Sequence, residues 1–279
     1  MLIHADGGVV VHRMQHRPSQ LQRVPRSGAS AVGQDPRVAS FEAVAGEYDT
    51  ARPSYPDGVY DALGPLEGLL VLDVGAGTGI ATRQLQARGA TVVAVDAGPA
   101  LLARAATRTP SLLAVVADGA VLPVRAGAAD LICSAQAWHW LDPSTRAGEA
   151  HRVLREGGRW AGWWSHARAD DEEWFQAHWT IVERACPGTR RGMRDIDWGA
   201  DLAAPGLFEV GDRVAVPWRR EISVDEWMTD QASHSYVAVL ARADRDRLLG
   251  NLRQVLDRRF PDRTMTVRYE TWVWIGTKT

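Results

Sequence analysis

Short apolar runs and amphipathic stretches alternate along much of this chain. Residues 69–74, 91–96, 112–117 and 129–134 are largely apolar runs of strand length, rich in Val, Leu, Ile and Ala, and 158–164 reads as a fifth strand rich in Trp. Residues 57–63, 79–88, 99–107 and 144–155 carry apolar positions at helical spacing. An unbroken apolar strand is one buried on both faces, and strand–helix alternation builds a parallel sheet with helices on both sides. The pattern predicts an α/β fold. Beyond residue 165 the rhythm changes. A helix is predicted over 170–185, a loop-rich stretch over 187–211, a sixth strand over 214–222, helices over 224–250 and 252–260, and a seventh strand over 265–276. In that last strand Val267, Tyr269, Thr271, Val273 and Ile275 share one face, and Met265 is assigned mostly to the other, with Trp272 and Trp274.

Ligands of open α/β sheets bind outside the carboxyl ends of the strands, and the chemistry of this chain gathers there. Leu70-Val-Leu-Asp-Val-Gly-Ala-Gly-Thr-Gly-Ile80 reads as a buried strand, a glycine turn and a helix start. Gly75, Ala76 and Gly77 form a turn in which the backbone passes close to a ligand. The dinucleotide fingerprint G-x-G-x-x-G is incomplete, because Ile80 stands at its third glycine. Asp73 before the turn would repel a pyrophosphate and suits a ligand bearing an ammonium. Asp96, followed by Ala97, closes the second strand, where a carboxylate accepts from ribose hydroxyls. Asp118-Gly119 follows the third, where an acid and a backbone amide match an adenine edge. Each of these has a structural alternative, a turn cap or an Asp-Gly turn. Three acids at successive strand ends favour the ligand.

In order, these segments resemble the class I S-adenosylmethionine-dependent methyltransferases over about residues 41–165. The likeness extends to the aromatic loop Ala135 to Asp142 and to Arg152-Val-Leu-Arg-Glu-Gly-Gly158, whose glycine pair is read as a helix C-cap. Ala45-Gly-Glu-Tyr-Asp-Thr-Ala-Arg-Pro-Ser-Tyr-Pro56 and Trp138-His139-Trp140 are similar to a subgroup that includes trans-aconitate-type enzymes. The resemblance implies a Rossmann-like, seven-stranded, mostly parallel sheet. It also implies S-adenosyl-L-methionine as cofactor and a small-molecule acceptor methylated on oxygen, with carbon next. Cofactor contacts are expected from Tyr48, Arg52, Asp73, Gly75, Ala76, Gly77, Asp96, Ala97, Asp118, Gly119 and Gln136. A helical cap is expected over about 223–262, inserted before the last strand.

His139 is the candidate general base, since imidazole titrates near neutral pH. A packed loop histidine is the competing reading. Arg190, Arg191 and Arg194 read either as a grip for a carboxylate or as a solvated basic face. Asn/Asp-Pro-Pro-Tyr, the mark of base and amide N-methylation, is replaced by Ser134-Ala-Gln-Ala137. The net charge of −2 argues against a general nucleic-acid partner, and no apolar run is long enough to span a membrane. Cys133 and Cys186 show neither a pairing pattern nor metal spacing. No metal is expected, and a cytoplasmic monomer or homodimer is. Residues 1–37 are rich in Arg, Gln, Ser, Gly and Pro and are read as a disordered tail, with the domain over 38–279. Two other readings stay open. One is a non-catalytic S-adenosylmethionine-binding or interaction protein on the same fold. The other is an NAD-type oxidoreductase, which Asp73 and Ile80 disfavour.

Overall fold

Five parallel strands form the centre of the sheet: β2 (Leu70–Val74), β3 (Thr91–Asp96), β4 (Leu113–Val116), β5 (Ala129–Ala135) and β6 (Leu154–Ala167). The computed structural model describes residues 53–279 and, upstream of them, only the backbone of His12–Arg13. That pair is β1, which lies antiparallel to β4 at the sheet edge. Other residues of the stretch read as a tail lie outside the described residues. The sheet has nine strands in the order β1-β4-β3-β2-β5-β6-β9-β7, with β8 also on β9. β9 (Thr264–Lys278) is antiparallel to β6, β7 (Phe208–Val210) and β8 (Val214–Ser223). Seven strands become nine because β1 adds a short edge and β7 forms within the stretch expected as loop, while the sixth strand stands as β8.

Strand alternation divides the core between the two faces of the sheet. Leu72, Val74, Val93, Val95 and Ile132 pack with α4 (Arg146–Val153) and α6 (Trp198–Ala203). Val71, Leu131 and Cys133 pack with α1 (Asp57–Leu63) and α2 (Ile80–Gln86). α3 (Pro99–Arg108) covers Ala94 and Ala114 through Leu102 and Ala105. Each fully buried Leu or Phe contributes about 1.5–3 kcal/mol. α4 ends at Val153, and β6 runs on through Gly157 and Gly158. The C-cap reading fails there. Ala129 pairs with Leu154 but Leu131 with Arg159, so the glycines absorb a bulge, Gly157 at φ +67.

The outer part of the sheet is a long antiparallel wing. β6 and β9 have 14 and 15 residues against five in β2. The wing carries a separate core under α5 (Glu173–Ala185), α7 (Val224–Ala232), α8 (Ser235–Ala238) and α9 (Arg242–Arg259). Trp174, Phe175, Trp227, Leu248, Leu252 and Leu256 fill it, and Met265 packs there beside Val267 and Tyr269, not with Trp272. α7 starts at a capping box between Ser223 and Glu226. The helix expected over 224–250 is three helices, and the expected break at Asn251 falls inside α9. Leu248, Leu252 and Leu256 are spaced by four, and that buried seam carries α9 through Asn251 without interruption.

Candidate functional site

Backbone hydrogen bonds draw the carboxyl ends of β2, β3 and β4 together. Gly75 and Ala76 donate to the Val95 carbonyl at 2.8 and 3.1 Å, and Ala117 donates to the Asp96 carbonyl at 3.0 Å. Asp96 is the knot. One carboxylate oxygen accepts from the Gly77 amide at 2.8 Å, and the other from Gly98, at the start of α3, at 2.7 Å. It therefore clamps the glycine loop as well as marking the end of β3. Ala97 lies between these contacts, half-buried.

The three glycines of the loop do different work. All take positive φ, so any side chain would be strained. A Cβ on Gly75 would collide with Ala137 in the loop after β5. A Cβ on Gly77 would meet nothing within 4 Å. Gly75 is required by packing, while the backbone at Gly77 borders open space that a ligand can enter. Gly79 starts α2 and would approach Ala105 at 3.1 Å.

Asp73 is wholly buried beneath this loop. Thr82 Oγ1 on α2 donates to its Oδ2 at 2.5 Å, while Oδ1 has no hydrogen-bond partner. Burial pushes its pKa up to about 6, against the pull of the Thr82 bond, and the nearby Asp96 charge adds to the rise. Asp118 Oδ1 accepts from the Ala120 amide at 2.9 Å, an Asx turn two residues past β4. A Cβ on Gly119 would lie 2.6 Å from Val74 and 2.7 Å from Leu141, so glycine lets this turn sit against the end of β2.

Gln136 leaves β5 with φ 54, a left-handed conformation unusual outside glycine. Its amide donates to the Trp163 carbonyl at 2.9 Å, and its side chain reaches the Tyr55 hydroxyl at 3.5 Å. Tyr55 packs edge-on against Trp163 and is held by Gln84 through its own backbone. Tyr48 and Arg52 lie outside the described residues. Tyr55, seven positions after Tyr48, is the residue of that segment seen against the site, and its place in Pro53-Ser-Tyr-Pro56 was the available signal.

His139 sits in a short 3₁₀ turn, Trp138–Trp140, ringed by Trp140, Trp164 and Trp198 at centroid distances of 4.7, 6.2 and 5.9 Å. Its ring is nonetheless exposed to solvent. The indole of Trp164 donates to its Nδ1 at 3.3 Å, which leaves the proton on Nε2. The aromatic surround, helped by the Arg146 charge, holds its pKa down at about 4. The turn is fixed from behind by Arg146, which donates to the Trp138 carbonyl at 2.9 Å and to Asp201 at 2.6 Å. Asp201 also accepts from the Trp138 indole at 2.9 Å. Nothing in the sequence pairs residues 146 and 201. Arg194 is buried and bonded to Asp170, Ala167 and Arg191, so it braces the chain and is not a spare cation.

The residues fit S-adenosylmethionine on two counts: an unpartnered buried carboxylate oxygen beneath the loop, and open space where Gly77 would carry a side chain. A methyltransferase-domain family model matches residues 72–161. An uncharacterised methyltransferase of Mycobacterium tuberculosis is 33% identical over 217 residues, spanning 78% of this chain and 85% of its own. An uncharacterised methyltransferase-like protein of Schizosaccharomyces pombe is 25% identical over 224 residues, spanning 78% and 86%. A solved structure from Anaeromyxobacter dehalogenans, assigned as a type II methyltransferase, superposes with a TM-score of 0.63 at 22% identity, covering 81% of this chain and 97% of that one. The chain belongs to the class I S-adenosylmethionine-dependent methyltransferases. It is an enzyme of that class, and S-adenosyl-L-methionine is its cofactor.

Proposed function

We propose that this methyltransferase transfers a methyl group to a small-molecule acceptor, on oxygen, with transfer to carbon as the second reading. The observation that carries this reading is the aromatic cluster after β5. His139, Trp140, Trp164 and Trp198 gather there, an aromatic surface with His139 open to solvent, against which an acceptor can pack. Ser134-Ala-Gln-Ala137 in place of the N-methylation tetrapeptide supports the same direction. The likeness to trans-aconitate-type enzymes rests partly on residues 45–52, which lie outside the described residues.

When bound, S-adenosylmethionine supplies a methyl on a sulfonium, and the electrons of the broken C–S bond stay on sulfur. Gly75, Ala76 and Gly77 would present backbone to it, and Asp96 would accept from ribose while keeping the loop closed. Asp118 and Gly119 would border the adenine, with Ala97 beside the ribose. Asp73 would act on the ammonium through its charge from beneath the loop. Gln136 would face the donor or the acceptor, and Tyr48 and Arg52 would close over the donor. His139, neutral and with Nδ1 engaged, would donate from Nε2 to the acceptor; the geometry favours this over a general base.

Purified protein incubated with S-adenosylmethionine and a broad panel of alcohols, phenols and acidic carbon compounds tests the reading by mass spectrometry. The expected outcome is a product heavier by one CH2 and formation of S-adenosylhomocysteine. Donor binding without turnover across the panel would favour the non-catalytic alternative.

A further inference from the structure

One side chain of α2 ties the start of the described chain to the glycine loop. Gln84 Oε1 accepts from the Tyr55 amide at 3.0 Å and from the Tyr60 hydroxyl at 3.1 Å, and its Nε2 donates to the Tyr55 carbonyl at 2.7 Å. A primary amide bonded to both backbone groups of one residue holds that residue as a strand neighbour would. The Tyr55 ring, anchored in this way, packs edge-on against Trp163 at 5.6 Å and 85°. Its hydroxyl accepts from Gln136 Nε2 at 3.5 Å, a long bond and the weakest link of the series. Tyr55, Gln84 and Gln136 are all half-buried.

Both ends of this series border the loop. α2 begins directly after Gly79 and carries Thr82, which donates to Asp73. Gln136 leaves β5 at φ 54 and is pinned by its backbone amide to the Trp163 carbonyl. It directly precedes Ala137, which a Cβ on Gly75 would strike at 2.3 Å. A non-glycine residue held in the left-handed region is over-determined by its surroundings. Tyr55 orients the Gln136 side chain: with Nε2 turned to the hydroxyl, Oε1 has no hydrogen-bond partner among the described residues. An amide oxygen accepts from an N–H or O–H group. β3 and β4, with Asp96 and Asp118 at their ends, lie on one side of β2, and β5 with Gln136 lies on the other. With ribose and adenine over the first pair, the amino end of the donor falls toward β5.

We propose that Gln84 is a positioning residue for methyl transfer: it fixes Tyr55, and Tyr55 turns the Gln136 amide so that its oxygen accepts from the ammonium of the donor. This rests on the donor placement given above, and it adds the residues that hold the amino end. Tyr60 supplies the internal comparison. It shares Gln84 Oε1, yet its ring packs in the core between α1 and the sheet.

The test is calorimetric titration of the full chain with two ligands. S-adenosylhomocysteine carries the ammonium, and 5′-methylthioadenosine has the same nucleoside and thioether without the amino-acid part. Gln84→Met, Tyr55→Phe and Gln136→Met are each expected to weaken S-adenosylhomocysteine about fivefold and to leave methylthioadenosine unchanged. The double variant Gln84→Met, Tyr55→Phe should lose no more than either single one, because both act through one hydroxyl. Tyr60→Phe, which removes the other bond to Gln84, should leave both affinities unchanged. Thermal unfolding reports that each variant is folded. Equal weakening of the two ligands would show a merely structural role and overturn the proposal. Unchanged S-adenosylhomocysteine affinity in Gln84→Met or Gln136→Met, or additive losses in the double variant, would overturn it as well. Failure of the wild-type chain to bind either ligand would instead sink the donor placement on which it rests.

Discussion

At the scale of single residues, Gly75 and Gly77 separate packing from binding. Gly77→Ala faces open space, so its cost to folding is the positive φ alone, about 1 kcal/mol. It should still impair donor binding strongly, because its methyl enters the ligand's path. Gly75→Ala should destabilise the fold itself against Ala137. Thermal unfolding paired with calorimetry distinguishes the two, and equal effects on both readouts would contradict the assignment. Asp73 carries a pH signature. Its folded pKa, about 6, lies above the ordinary 3.8. Its contribution to stability is therefore full below 3.8 and lost as pH rises to about 6, a change of about 3 kcal/mol. A cationic donor favours the ionised carboxylate, so donor affinity should tighten as pH rises through about 6. Calorimetry across pH should show this in wild type and a flat profile in Asp73→Asn. The acid was legible at residue 73 because it broke an apolar run. Its burial was not, since that depends on Thr82 and α2 packing over it.

Among the elements, the loop after β5 and the cap are held by polar groups far apart in sequence. Arg146→Met would remove the charge partner of Asp201 and one of two donors to the Trp138 carbonyl. A loss of about 3 kcal/mol in denaturant unfolding is expected, with reduced methyl transfer as His139 shifts. His166 and His178 are held neutral by burial, each with a pKa of about 3 against 6.5 when free. Their contribution is full above 6.5 and lost as pH falls toward 3, so acidification should loosen the cap by a few kcal/mol. Asp73 offsets part of this between pH about 6 and 3.8. Circular dichroism of the aromatic bands across pH should show the loss, and His178→Phe should reduce it. The parallel core was readable because β2, β3 and β4 are apolar runs that stop at an acid or a glycine. The wing was harder. Gly157-Gly158 signals a helix end and a bulge equally well, and only the pairing of β6 with β5 decides. Arg146 and Asp201 lie in different helices, so no spacing rule could bring them together.

For the molecule as a whole, the glycine loop and the acids share one end of the parallel sheet. The sheet fixes where charge sits, and the wing carries its own helical core. No described helix is long and apolar enough to cross a membrane. A ligand that binds only the folded chain should stabilise it by about 2.7 kcal/mol at a concentration 100 times its Kd. S-adenosylhomocysteine should therefore raise the unfolding temperature in proportion to the logarithm of its concentration. The order of acids along the chain was enough to name the cofactor, whereas the Asp96–Gly77 clamp came from tertiary geometry alone. That clamp concentrates the account in one side chain. Calorimetric titration of S-adenosylhomocysteine into wild type and Asp96→Ala is the direct measurement. Saturable one-site binding in wild type, weakened by about 2–3 kcal/mol in the variant, is the predicted result. Equal affinity in both chains, or binding of NADH in place of S-adenosylhomocysteine, would contradict it.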